Sequence, residues 1–174
     1  MKTKRNLTSV MGIIAMACVV MGAAQMPAVK PPAELELLKA LAGKWAGTQK
    51  TPEGVKQVAL EYAVTSAGTT VTEKLFAGQD EEMVSMYHGD GDGIMMTHYC
   101  ALGNQPRMRL KKSDDPKVLT FEFVDGTGLD PKKDAHMHGL KLTLVDKNHL
   151  THDWSFYAGG KEQAVHRFEF ARKK

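Results

Sequence analysis

Residues 136–157 read HMHGLKLTLVDKNHLTHDWSFY. Leu140, Leu142 and Leu144 alternate with Lys141 and Thr143. After the turn Asp146-Lys147-Asn148, Leu150, Trp154 and Phe156 alternate with Thr151, Asp153 and Ser155. Successive side chains of a strand point to opposite faces. Two alternating runs joined by a short polar turn are therefore a β-hairpin with one face on a core. Counting by twos carries His136, His138 and His152 onto that core face.

Outward from this hairpin the same punctuation recurs. Strands are expected at 44–50, 55–65, 69–77, 82–88, 93–102, 107–112, 117–124, 136–146, 149–157 and 163–171. Turns at Ser66-Ala67-Gly68, Asp90-Gly91-Asp92-Gly93, Asp114-Asp115-Pro116 and Gly159-Gly160 separate them. Before the first strand, Leu35, Leu38, Leu41 and Ala42 stand at helical spacing, with Gly43 as a stop. The expected fold is all-β: a barrel of about ten antiparallel strands with one short N-terminal helix. Closure removes the exposed edges that ten short strands would otherwise leave.

The N-terminus reads as an export signal over 1–24. Lys2, Lys4 and Arg5 precede the apolar run Val10 to Ala24, and Gly22-Ala23-Ala24 offers a small-residue cleavage site. A run of about 15 apolar residues is short of the roughly 20 that span a bilayer, so no membrane span is expected in the mature form. A proline-rich linker, 25–33, leads into a single barrel domain, 34–174. The expected location is periplasmic or secreted.

Export changes the charge argument. The chain has 23 basic and 20 acidic residues, and the signal takes three of the basic ones. The remaining domain is balanced, which argues against a nucleic-acid surface. Of two cysteines, Cys18 falls in the signal and Cys100 stands alone, so no internal disulfide is expected.

Leu41-Ala42-Gly43-Lys44-Trp45-Ala46-Gly47 resembles the Gly-x-Trp start of the calycins, the lipocalin and fatty-acid-binding group. That resemblance implies a Trp closing one barrel end with a basic residue from the last strand on its ring, Arg172 or Arg167. The segments Thr97-His98-Tyr99-Cys100, Gly103 to Met108, His136-Met137-His138 and Trp154 are similar to a family of exported bacterial lipocalin-like domains that brings no settled activity. There is a looser likeness to nitrobindin-type haem barrels, whose axial histidine lies near the C-terminus; His166 stands in a comparable place.

Function is expected to follow the histidines. Besides His136, His138 and His152, the alternation puts His98 on a face with Ile94, Met96 and Cys100, and His166 on a face with Phe168 and Phe170. His88 and His149 sit beside turns and are expected in water. Buried imidazoles need partners, so five on core faces imply a polar internal pocket for a small-molecule ligand. His136 and His138 lie about 7 Å apart on one strand. With His152 from the hairpin partner, or His98, they form a candidate site for Zn²⁺, Cu²⁺ or Fe²⁺; haem is the weaker cofactor reading. His98, Asn104, Arg107, Trp154, His166 and Glu73 are the candidate ligand-binding residues. Glu73 shares a face with Val71 and Leu75 and could pair with a histidine for acid–base work. No Gly-x-Ser-x-Gly or Cys–His nucleophile motif is present, and Asp90-Gly91-Asp92-Gly93 lacks the length of a calcium loop. The methionines are spread along strands and read as core filling.

Overall fold

The computed structural model describes residues 32–174. The segment 1–24 expected to be an export signal, and the expected linker up to its last two residues, lie outside the described residues. The helix α1 (Ala33–Lys39) precedes β1 (Gly43–Thr51), β2 (Gly54–Thr65), β3 (Thr70–Leu75), β4 (Met83–Asp90), β5 (Gly93–Tyr99), β6 (Gln105–Lys111), β7 (Val118–Thr127), β8 (His136–Asp146), β9 (His149–Ala158) and β10 (Lys161–Arg172). Each strand pairs antiparallel with its chain neighbours, and β1 closes the ring on β10. The fold is thus the ten-stranded antiparallel barrel with one short helix that the turn spacing predicts. No helix among the described residues is long and apolar enough to cross a membrane.

The alternation works as a packing code over most of the wall. On β9, Leu150, His152 and Trp154 are buried, and on β10 Phe168 and Phe170 are. Met96, Met108, Phe121, Leu140 and Leu142 meet them across the interior. One end is stoppered by α1, whose Leu35 and Leu38 are buried against the barrel. The other end carries the turn 100–104, the loop 128–135 and the start of β10. It is the mouth.

At the stoppered end Arg172 does what the Gly-x-Trp resemblance implies. Its guanidinium lies 4.2 Å from the Trp45 ring centroid and donates to the carbonyls of Ala42 (2.8 Å), Ala40 (2.9 Å) and Lys147 (3.3 Å). Gly43 has a φ of +128°, and a Cβ there would come within 3.2 Å of that guanidinium. Arg172→Ala is expected to cost about 2 kcal/mol, because ring stacking and charge-assisted donors go together. Lys at 172 should recover less than half, lacking the planar fork. Urea unfolding of the two variants measures both.

One expectation fails at β8. The alternation predicts both His136 and His138 on the core face, but the ladder slips between Met137 and Gly139. Met137 stands opposite Phe156, and His136 stands opposite Tyr157. A bulge puts two residues against one and reverses the alternation beyond it. Leu140 and Leu142 keep the interior, Met137 takes the next inward place, and the two histidines are turned away from the barrel space. Gly139 makes this possible: a Cβ there would meet Ser155 Oγ at 2.9 Å and the Phe121 carbonyl at 3.1 Å.

Candidate functional site

The mouth opens into a cavity of about 140 Å³ lined by Leu75, Phe76, Met83, Met137, Phe168, Gln49, His98, Trp154 and His166. Most of this wall is apolar. Its polar features are specific. His98 and Trp154 are both 1% exposed, with ring centroids 4.6 Å apart. His98 Nδ1 meets Ser85 Oγ at 3.0 Å, whereas His98 Nε2 and Trp154 Nε1 have no protein partner. Burial pushes the His98 imidazole down to about 4, so it is neutral at physiological pH. His166 stands opposite Trp154 in register and is half-buried at the rim, 5.9 Å from Phe156.

Below this floor lies a buried polar row. Tyr62, Glu73, Ser85 and His98 stand directly opposite one another across β2, β3, β4 and β5. All four are buried. Glu73 Oε2 accepts from Tyr62 (2.7 Å) and Tyr87 (2.6 Å), and Tyr62 Oη also meets His152 Nε2 at 2.9 Å. Glu73 Oε1 and His152 Nδ1 have no protein partner. Burial raises Glu73 to about 7 despite the two phenols, which oppose it, and lowers His152 to about 3. Glu73 does face inward, as its alternation with Val71 and Leu75 implies, and reaches a histidine only through Tyr62. Ser85 and Tyr87 were not singled out in the sequence. Their shared inward face with Met83 on β4, beside a carboxylate needing donors, is the signal that finds them.

His136 and His138 form a separate pair. His136 is fully buried, and its Nδ1 donates to the Asp134 carbonyl at 2.8 Å. His136 Nε2 lies 3.0 Å from His138 Nδ1, so the two rings share one hydrogen bond. His138 stacks between Phe123 (4.7 Å) and Tyr157 (3.9 Å). It lines an outer-wall groove with Glu122, Lys141, Asp153 and Ser155. Partial burial, and then the neighbouring His136, hold His138 below its ordinary value.

The expected metal set is therefore not assembled. His152 stands opposite Leu142, five residues along β9 from Tyr157, the partner of His136. That is roughly 17 Å of strand. His98 lies with Ser85 and Trp154. Among the described residues no three His, Cys, Asp or Glu side chains come together in a metal-holding group. The donors do not fit Zn²⁺, Cu²⁺ or Fe²⁺ as a set. Beside His166, the cavity is below the roughly 300–1,000 Å³ of pockets for drug-sized molecules, too small for haem. Arg107 is also off the site. It alternates with buried Pro106 and Met108, points outward, and forms a two-pronged ion pair with Asp125. Asn104 is buried at the mouth turn, where its Nδ2 donates to the Ala135 carbonyl at 2.8 Å and its Oδ1 is unpartnered. Cys100 is free and buried, and burial raises its thiol.

Among known proteins, no family model matches the chain and no curated protein matches its sequence. Among solved structures it is similar to a redesigned β-barrel, with 14% identity and a TM-score of 0.38 over 79% of this chain and 95% of that one.

Proposed function

We propose that this chain is an exported, calycin-like barrel that binds a small uncharged molecule carrying a carbonyl or hydroxyl oxygen in its mouth cavity. The carrying observation is that two residues lining the cavity, Trp154 and His98, each hold a buried ring nitrogen, Nε1 and Nε2, without a protein partner. An indole N–H only donates, so the occupant brings an acceptor. A neutral His98 offers no charge to an anion, and Glu73 behind it disfavours one. The apolar lining takes the rest of the molecule. A cavity of about 150 Å³ accepts a benzene-sized body, which sets the scale. The calycin reading is supported by Arg172 on Trp45 behind a closing helix. Export is supported by the basic start, apolar run and small-residue site over 1–24.

Cyclohexanone is a suitable probe, and the two tryptophans report on it. Trp45 Nε1 is committed to the Leu41 carbonyl at 3.0 Å, while Trp154 Nε1 is free. In ¹⁵N-labelled protein, cyclohexanone is expected to shift the Trp154 indole N–H saturably and leave that of Trp45 in place. Trp154→Phe keeps a ring without the donor and should weaken binding about tenfold, the worth of one hydrogen bond. An unmoved Trp154 signal at saturating ketone would refute the reading.

A further inference from the structure

His98 brings two ring nitrogens into the barrel, and the protein engages only one of them. Nδ1 meets Ser85 Oγ at 3.0 Å, while Nε2 meets no protein atom, on a buried residue that lines the mouth cavity. The ring is neutral, so one nitrogen carries the proton and the other is bare. A bare Nε2 takes a hydrogen bond from an occupant, and a protonated one gives it. The neighbours of Ser85 decide between the two. Ser85 stands opposite Glu73 in the ladder and shares the inward face of β4 with Tyr87. Tyr87 donates to Glu73 Oε2 at 2.6 Å, so its one proton is committed and its oxygen is left to accept. Burial, and then Glu73, hold the Tyr87 phenol well above its ordinary value. The Ser85 hydroxyl works the other way, as a donor to the phenol oxygen does. A serine hydroxyl also has one proton. With that proton turned to Tyr87, Ser85 Oγ accepts from His98, and Nδ1 is the donor. The row then runs in one sense, from His98 through Ser85 and Tyr87 to the carboxyl, and hydrogen bonds aligned this way strengthen one another in a dry interior. Its cavity end is a bare Nε2.

We infer that the mouth cavity selects a hydroxyl over a carbonyl, taking a small alcohol or phenol whose O–H donates to His98 Nε2 and whose oxygen accepts from Trp154 Nε1–H. The inference rests on the cavity reading above and deepens it by naming the polar group. A hydroxyl is the smallest organic group that both gives and takes a hydrogen bond. The two side chains that need those partners line one cavity, with ring centroids 4.6 Å apart. A ketone satisfies Trp154 alone and leaves Nε2 dry without a donor, which is costly. A carboxylate fails in the same way, having no proton to give. The apolar wall of Leu75, Phe76, Met83 and Phe168 takes the ring or short chain of the alcohol. Ser85 and Tyr87 are positioning residues, which act on the occupant only by holding the His98 proton on Nδ1.

Cyclohexanol and cyclohexanone share a six-membered ring and differ at the oxygen, so the pair tests this. In ¹⁵N-labelled wild-type protein both are expected to shift the Trp154 indole, with cyclohexanol binding about tenfold more tightly. His98→Phe keeps a ring without the acceptor and should lose most of that preference. The wild-type ring can also be read directly. In a long-range ¹H–¹⁵N spectrum, His98 Nδ1 should carry the proton and Nε2 should be bare, and only cyclohexanol should move the Nε2 resonance. Ser85→Ala removes the acceptor that holds the proton on Nδ1. It should move the Nε2 resonance toward its protonated position and shrink the preference for the alcohol. A protonated Nε2 in the wild type, or equal affinity for the two molecules while both shift Trp154, overturns the inference and leaves the cavity reading standing. A Trp154 signal moved by neither molecule instead overturns the cavity reading beneath it.

Discussion

Lowering the pH from 7 to 4 is expected to cost the wild-type protein about 3 kcal/mol of stability, and Glu73→Gln about 6 kcal/mol. His98 and His152 carry the loss. Their ordinary value is 6.5, and burial holds them at about 4 and about 3 in the folded state. Below pH 6.5 the unfolded chain takes up protons that the folded barrel refuses, so stability falls as pH falls through that window. Each contributes about 3 kcal/mol by pH 4. Glu73 acts in the opposite sense. Its folded value, about 7, lies above its ordinary 4.5. The folded state therefore holds a proton that the unfolded state releases between pH 4.5 and 7. Its favourable contribution is complete below 4.5 and lost as pH rises through 7, about 3 kcal/mol in all. In the wild type it offsets one histidine; in Glu73→Gln nothing offsets either. Exposed carboxylates held low by hydrogen bonds, such as Glu81 and Asp146, push in the same direction as the histidines, screened by water. Urea unfolding at pH 4, 5, 6 and 7 reads the profile. His98→Gln should nearly flatten the wild-type curve. A Glu73→Gln profile no steeper than wild type would contradict this account.

Trp154→Ala is expected to lose about 4 kcal/mol, near the top of the range for large buried side chains. The ring is 1% exposed, packs against His98, and sits between Leu140 and His166 in the cross-strand ladder. Its Nε1 has no protein partner, so the loss is one of packing and not of a hydrogen bond. Trp154→Phe should accordingly cost less than half as much. The Ala variant joins the vacated space to the mouth cavity and should admit ketones larger than cyclohexanone. Thermal unfolding measures the first effect. A loss below about 1 kcal/mol would mean the wall collapses onto the site.

What could be read from the chain follows from which interactions are local. Turn residues at short intervals and strict alternation on β9 and β10 predict ten strands and their inward faces, and those faces place His98, His152, Trp154 and Glu73 in the interior. Arg107 was misplaced, although its position between buried Pro106 and Met108 already carried the outward direction. The bulge at His138 is different in kind. Nothing in HMHGL announces it except Gly139, and a one-residue slip sends every residue beyond it to the other face. The convergence of Tyr62 and Tyr87 on Glu73, with His152 behind Tyr62, was also hidden, because it depends on strands up to ninety residues apart meeting across a closed ring. Inward tyrosines beside a buried carboxylate are nevertheless a pattern worth testing on other barrels.

A crystal structure of the protein soaked in cyclohexanone tests the central claim most directly. The ketone should lie between Phe76, Met137 and Phe168, its oxygen about 3 Å from Trp154 Nε1. Cyclohexanone found only in the outer groove beside His138, with the mouth cavity holding ordered water alone, would contradict it.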